Sequence, residues 1–136
     1  SFEGQDGLTP FLSQTDILVC LLPLTSATAG ILNAKTFALL PKDACVINCA
    51  RGGHLVEEDL IAALDTGHLR GATLDVFQTE PLPDTSPLWT HPKIVVSPHV
   101  AAATDREAFM RHVADTIRRM DKSLPPDNLV DFARGY

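Results

Sequence analysis

The chain has 136 residues, 45% of them apolar, with 17 acidic against 11 basic side chains and a formal net charge of −6. An acidic balance without any basic run excludes a nucleic-acid footprint and makes anionic membrane surfaces poor partners, so a metabolite or another protein fits better. The longest aliphatic stretch, residues 17–22, stops at Pro23, far short of the ~20 residues of a membrane span. These are the proportions of one ordinary globular domain. The opening Ser1-Phe2-Glu3-Gly4 lacks an initiator Met and reads as the interior of a longer polypeptide.

Residues 16–22 are an apolar, partly β-branched run without alternation, which predicts a parallel strand covered on both faces. Asn33 caps a predicted helix carrying Phe37, Leu39 and Leu40 that Pro41 closes, and residues 44–49 form a second buried strand. After the turn Arg51-Gly52-Gly53, a helix over residues 56–64 places Val56, Leu60, Ile61 and Leu64 on one face. Glu57, Glu58 and Asp59 stand at the positive end of its dipole, and Gly67 marks its exit. Residues 71–76 and 93–97 supply two more strands, separated by the Pro-rich loop 80–87. Thr104 or Asp105 opens a long amphipathic helix to about Lys122, and Pro125-Pro126 ends it.

Strands alternating with helices at this spacing predict right-handed crossovers and an α/β fold built on a parallel sheet. No G-x-G-x-x-G follows any of the strands, so a complete dinucleotide-binding domain is not encoded in these residues. Cys20, Cys45 and Cys49 read as reduced, buried thiols of a cytosolic protein. Cys45 and Cys49 would lie ~13 Å apart along one strand face, too far for a disulfide. No metal site is expected, and His54, His68, His91 and His112, which lack ligand spacing, read as surface groups.

Open parallel sheets bind ligands beyond the carboxyl ends of their strands. The residues just past those ends are Leu22-Pro23, Cys49-Ala50-Arg51, Asp75 with the later Glu80, and Pro98-His99. Arg51, between Ala50 and two glycines, can offer a planar fork to a carboxylate, although a plain surface Arg is the competing reading. His99 projects from a point fixed by Pro98. A carboxylate touching it would stabilise the imidazolium and make it a proton donor near neutral pH. Glu80 is the candidate, unless it is a solvated turn residue. Asp75 ends an apolar strand, where a buried carboxylate is costly unless something is bonded to it, and turn capping is the alternative. A Cys49 thiolate with His99 as base is a further arrangement, but no helix N-terminus or second cation lowers that thiol's pKa.

Three ordered motifs, Asn48-Cys49-Ala50-Arg51-Gly52-Gly53, the strand of residues 71–77 leading to Glu80-Pro81, and Ser97-Pro98-His99-Val100-Ala101, resemble the D-isomer-specific 2-hydroxyacid dehydrogenases. The ending, residues 130–136, is most similar to a subgroup acting on glyoxylate and hydroxypyruvate. The resemblance implies a partial Rossmann-like sheet with flanking helices, residues 1–122 being the carboxyl-terminal part of an NAD(P)-binding domain and 123–136 a tail returning to a substrate domain. It implies that Arg51 holds the 2-oxoacid while His99, paired with Glu80, protonates the carbonyl oxygen. It also implies that Leu22, Pro23, Cys49, Ala50, Arg51, Asp75, His99 and Ala102 line the cofactor cleft, for NADP or NAD with NADP favoured by the subgroup. A cytoplasmic homodimer is expected at full length, and no activity from these residues alone. The reading from a different class is a non-catalytic dinucleotide-sensing or protein-binding module on the same fold.

Overall fold

A computed structural model of the chain describes residues 1–132; the expected tail over 123–136 therefore falls in part, at 133–136, outside the described residues. Contacts divide the chain into two compact units, Ser1–Ala101 and Ala102–Tyr136. The first contains the helices α1 (Gly4–Leu12), α2 (Ala34–Leu39) and α3 (Glu57–Asp65) and the strands β1 (Ile17–Cys20), β2 (Ala44–Asn48), β3 (Leu69–Leu74) and β4 (Ile94–Val96). All neighbouring strands pair in parallel, in the order β1-β2-β3-β4.

Local chemistry sets the element ends. The Asn33 side chain accepts the N–H groups of Lys35 and Thr36, supplying the first-turn acceptor that α2 lacks. The acidic first turn of α3 (Glu57, Glu58, Asp59) does further work, since Asp59 also accepts the Ala34 N–H at the start of α2. Leu60 and Leu64 of α3 are both 0% exposed and meet Phe37 of α2 and Leu12 of α1 in one cluster with Leu18, Val46, Ala72 and Leu74 of the sheet. Truncating Leu60 to Ala would cost about 2–5 kcal/mol, the usual range for a fully packed leucine.

The first unit departs from the expected doubly covered sheet. Along β1, Leu18 and Cys20 are buried while Ile17 and Val19 are 55% and 47% exposed, and Val95 of β4 is 62% exposed. The strand order advances in one direction, so successive right-handed crossovers put α2 and α3 on the same face. Within this unit the other face is uncovered, and the alternation that apolar residues mask in the sequence is present in the burial. Of the thiols, only Cys20 is buried; Cys45 and Cys49 are half-buried. Burial pushes the Cys20 thiol up from its ordinary range, which leaves it unreactive.

Helix α1 has no counterpart in the sequence reading, because Gly4, Gly7 and the internal Pro10 all argue against a helix. Tertiary packing overrides propensity here: Leu12 is 1% exposed in the core, with Leu8 packed against it. The second unit holds α4 (Arg106–Asp121), capped by the Asp105 carboxylate on the N–H groups of Glu107 and Ala108. Pairs Glu107–Arg111 and Asp115–Arg118 line its surface, and Arg119 ties its end to Asp127 and to the Pro125 carbonyl. Among the described residues no helix is long and apolar enough to cross a membrane.

Candidate active site

Because the four strands run parallel, their carboxyl ends share one edge, and each following loop carries candidate residues: Leu22 and Pro23 after β1, Cys49, Ala50 and Arg51 after β2, Asp75 and Glu80 after β3, His99 after β4. Ala102 opens the second unit and is exposed.

Glu80 and His99 make a direct pair, Oε2 to Nδ1 at 2.8 Å. The other carboxylate oxygen, Oε1, accepts the Phe77 N–H at 2.9 Å, so the side chain is held at both ends. The His99 hydrogen bond, then the Phe77 N–H, keep the Glu80 carboxyl below the usual carboxylate range, with Arg51 adding a smaller effect through space. Glu80 is therefore an anion at neutral pH. Its bond to Nδ1 fixes the orientation of the ring. Among the described residues nothing hydrogen-bonds the other ring nitrogen, Nε2. A cavity of about 620 Å³ adjoins the pair, walled by Phe77, Pro81, Leu82, Trp89 and Val96.

His99 sits at φ 55, a left-handed conformation uncommon for residues other than glycine. Asp75 imposes it. Its carboxylate, 2% exposed, accepts the Ser97 hydroxyl at 2.6 Å and the N–H groups of Val100 at 2.9 Å and Ala101 at 3.0 Å. Burial pushes this carboxyl up, but the Ser97, Ala101 and Val100 donors outweigh it and the net direction is down. Three bonds brace the chain on both sides of His99. Asp75 was expected to cap a turn or to face cofactor, and in this structure its bonds go to the His99 loop.

The Arg51 loop is built with equal care. Asn48, fully buried at the end of β2, accepts the Ala50 N–H through Oδ1 and donates through Nδ2 to the Arg51 carbonyl. The exposed Arg51 side chain donates from Nη1 to the Ala50 carbonyl at 2.6 Å, leaving its other donors outward. Gln78 Nε2 donates to the Leu55 carbonyl, tying this loop to the one that carries Glu80.

Residues 2–101 match the family model described as D-isomer specific 2-hydroxyacid dehydrogenase, NAD binding domain. The chain belongs to that family. It is 51% identical over its whole length to a glyoxylate/hydroxypyruvate reductase A from Klebsiella pneumoniae (strain 342), of which it covers 44%. Among solved structures, a D-isomer specific 2-hydroxyacid dehydrogenase from Xanthobacter autotrophicus Py2, in complex with NADPH and MES, aligns with TM-score 0.94 and 44% identity over 99% of this chain and 56% of that one. An NADPH-dependent glyoxylate/hydroxypyruvate reductase from Sinorhizobium meliloti, in complex with NADP and sulfate, aligns with TM-score 0.92 and 45% identity over 98% of this chain and 44% of that one. The chain thus spans less than half the length of the curated relative.

For a dehydrogenase cofactor domain, the donor set here fits the reactive end of the dinucleotide. Exposed apolar Leu22 and Pro23, past β1, lie beside the loop of Arg51, past the neighbouring β2, whereas no glycine loop for the pyrophosphate occurs in the sequence. Ala50 is 6% exposed and half-buried Cys49 has its N–H on the Cys20 carbonyl, so these two present little beyond backbone. The Cys49–His99 arrangement is not formed: the two residues follow β2 and β4, which are not neighbours in the sheet, and no hydrogen bond joins their side chains.

Three residues that shape the site were given no role of their own by the sequence reading. Asn48 was legible as a polar residue closing an apolar strand, the usual place for a side-chain-bonded turn. Ser97 precedes the Pro98-His99 pair without any signal of its own. His54, expected at the surface, is 0% exposed; His68 and His91, expected there too, are half-buried, with bonds to the Phe37 carbonyl and to Asp65, and of these four histidines His112 alone is exposed.

Proposed function

We propose that the full-length protein reduces small 2-oxoacids such as glyoxylate and hydroxypyruvate to 2-hydroxyacids. The observation that carries this reading is the Glu80–His99 hydrogen bond on the same strand edge as Arg51. The outward donors of Arg51 hold the substrate carboxylate, a planar fork meeting a planar anion. The Nε2 of His99 donates a proton to the carbonyl oxygen as negative charge develops there, and the Glu80 anion stabilises the imidazolium before that transfer. Bound NAD(P)H supplies the hydride to the carbonyl carbon. NADPH is the favoured form, in keeping with the relatives from Xanthobacter and Sinorhizobium, whose structures contain NADPH and NADP.

Residues 1–122 then form the carboxyl-terminal part of the cofactor domain and 123–136 return to a substrate domain. The protein works in the cytoplasm as a homodimer. Steady-state assays of the full-length protein with glyoxylate and hydroxypyruvate, against NADPH and NADH, test the reading. Saturable NADPH binding with no turnover of any 2-oxoacid would overturn it in favour of a sensing module.

A further inference from the structure

His54 is buried completely, yet the proton transfer above makes no use of it. It ends the short 3₁₀ turn Gly52–His54 that follows Arg51. Its Nε2 lies 3.3 Å from the Pro23 carbonyl oxygen, and its Nδ1 lies 3.3 Å from the Arg51 backbone nitrogen and 3.0 Å from the Arg51 carbonyl oxygen. A ring nitrogen that faces only a carbonyl must donate to it, which puts the proton on Nε2 and leaves Nδ1 bare to accept the Arg51 N–H. The Arg51 carbonyl has no need of the ring, because it receives the Asn48 amide at 3.1 Å and the His54 backbone N–H at 3.2 Å. One imidazole therefore bridges the loop after β1 to the loop after β2.

We propose that His54 is a positioning residue for the oxoacid site: it locks the Arg51 backbone to the Pro23 turn and so aims the guanidinium. The inference rests on the reading of Arg51 as the carboxylate clamp. Arg51 itself is extended and unstrained, at φ −143 and ψ 149, so its own conformation does not fix its direction. The surrounding turn does, with Gly30 N–H on the Gly53 carbonyl and Leu32 N–H on the His54 carbonyl closing the same two segments together. A long side chain amplifies small backbone rotations, and a misplacement of about 1 Å at a reacting group can cost on the order of 100-fold in rate.

The test uses the full-length protein, with glyoxylate kinetics and NADPH affinity measured for Arg51→Gln, His54→Leu, His54→Asn and His54→Gln. An Asn places its amide oxygen at the Nδ1 position and keeps the Arg51 contact; a Gln reaches only the Nε2 position. Losing one buried hydrogen bond on Arg51 should raise the glyoxylate KM about tenfold in His54→Leu and His54→Gln, while His54→Asn stays within about threefold of wild type. Added to Arg51→Gln, His54→Leu should cost less than about twofold more, because the group it aims is already gone. A folded His54→Leu with wild-type kinetics, or one whose full penalty persists on top of Arg51→Gln, overturns the proposal. If His54→Leu does not fold, equal kinetics for His54→Asn and His54→Gln overturn it instead. Wild-type glyoxylate kinetics in Arg51→Gln itself would sink the clamp reading, and the positioning role with it, a pattern distinct from failure at His54 alone.

Discussion

Gly52 and Phe77 touch backbone to backbone: a Cβ built on Gly52 would stand 1.9 Å from the carbonyl carbon and oxygen of Phe77. No side chain fits between them. The contact joins the loop of Arg51 to the loop of Glu80, whose Oε1 is held by the same Phe77 through its N–H. Gly52→Ala should accordingly push the two loops apart, costing about 2 kcal/mol or more of stability and at least about tenfold in kcat/KM for glyoxylate. Thermal melts beside steady-state kinetics check both; a variant that is stable and fully active would show that the loops can separate without consequence.

Arg51→Lys keeps the charge and loses the fork. A lysine offers a compact point charge that cannot bond both oxygens of a carboxylate in one plane. The glyoxylate KM should rise and kcat/KM fall by roughly tenfold, as expected for one lost charge-assisted bond, while NADPH affinity stays nearly intact. Measured KM and NADPH Kd decide it, and unchanged glyoxylate kinetics would remove Arg51 from the site.

How much of this was legible beforehand follows from the range over which each interaction acts. The strands, the Asn33 cap and the acidic start of α3 depend on neighbours a few residues away, and the structure has them where the sequence pattern indicates. The ends of β1, β3 and β4 shift by one or two residues, because pairing registers and not composition decide where a ladder stops. Arg51, Glu80 and His99 were singled out by their places past strand ends. The bond between Glu80 and His99 closes over 19 residues of chain, and no spacing rule specifies it. His54 went the other way. A histidine without ligand spacing reads as surface, and the meeting of two loops, 31 residues apart at Pro23 and His54, buries it.

Glu80→Gln removes the anion from the pair while keeping an oxygen for the Phe77 N–H. The wild-type carboxyl lies below its usual range, so it remains ionised through neutral pH and into the acid range. Without it the protonated ring loses its counter-charge, and the alkaline limb of kcat/KM for reduction should move to lower pH with a lower plateau. The pH profile of the full-length variant reads this directly. A limb that keeps its position would mean that the pair does not govern the proton donor.

Asp75 links the same site to stability. Its carboxyl is held below the ordinary value of about 4, so in the acid range the folded protein binds fewer protons than the unfolded chain. The resulting stabilisation is complete above about pH 5 and is lost as pH falls through the depressed folded-state value. In Asp75→Asn one oxygen still accepts, but the new NH₂ group points at a backbone N–H, Val100's or Ala101's according to how the amide turns, and a buried donor goes unpaired. Neutral-pH stability should drop by about 1–3 kcal/mol and its decline toward pH 3 should become shallower. Because these bonds also hold His99 at φ 55, kcat should fall with them. Urea unfolding from pH 3 to pH 7, run beside glyoxylate turnover, separates the two effects: a variant that loses stability but keeps its kcat would mean that the loop holds His99 without Asp75.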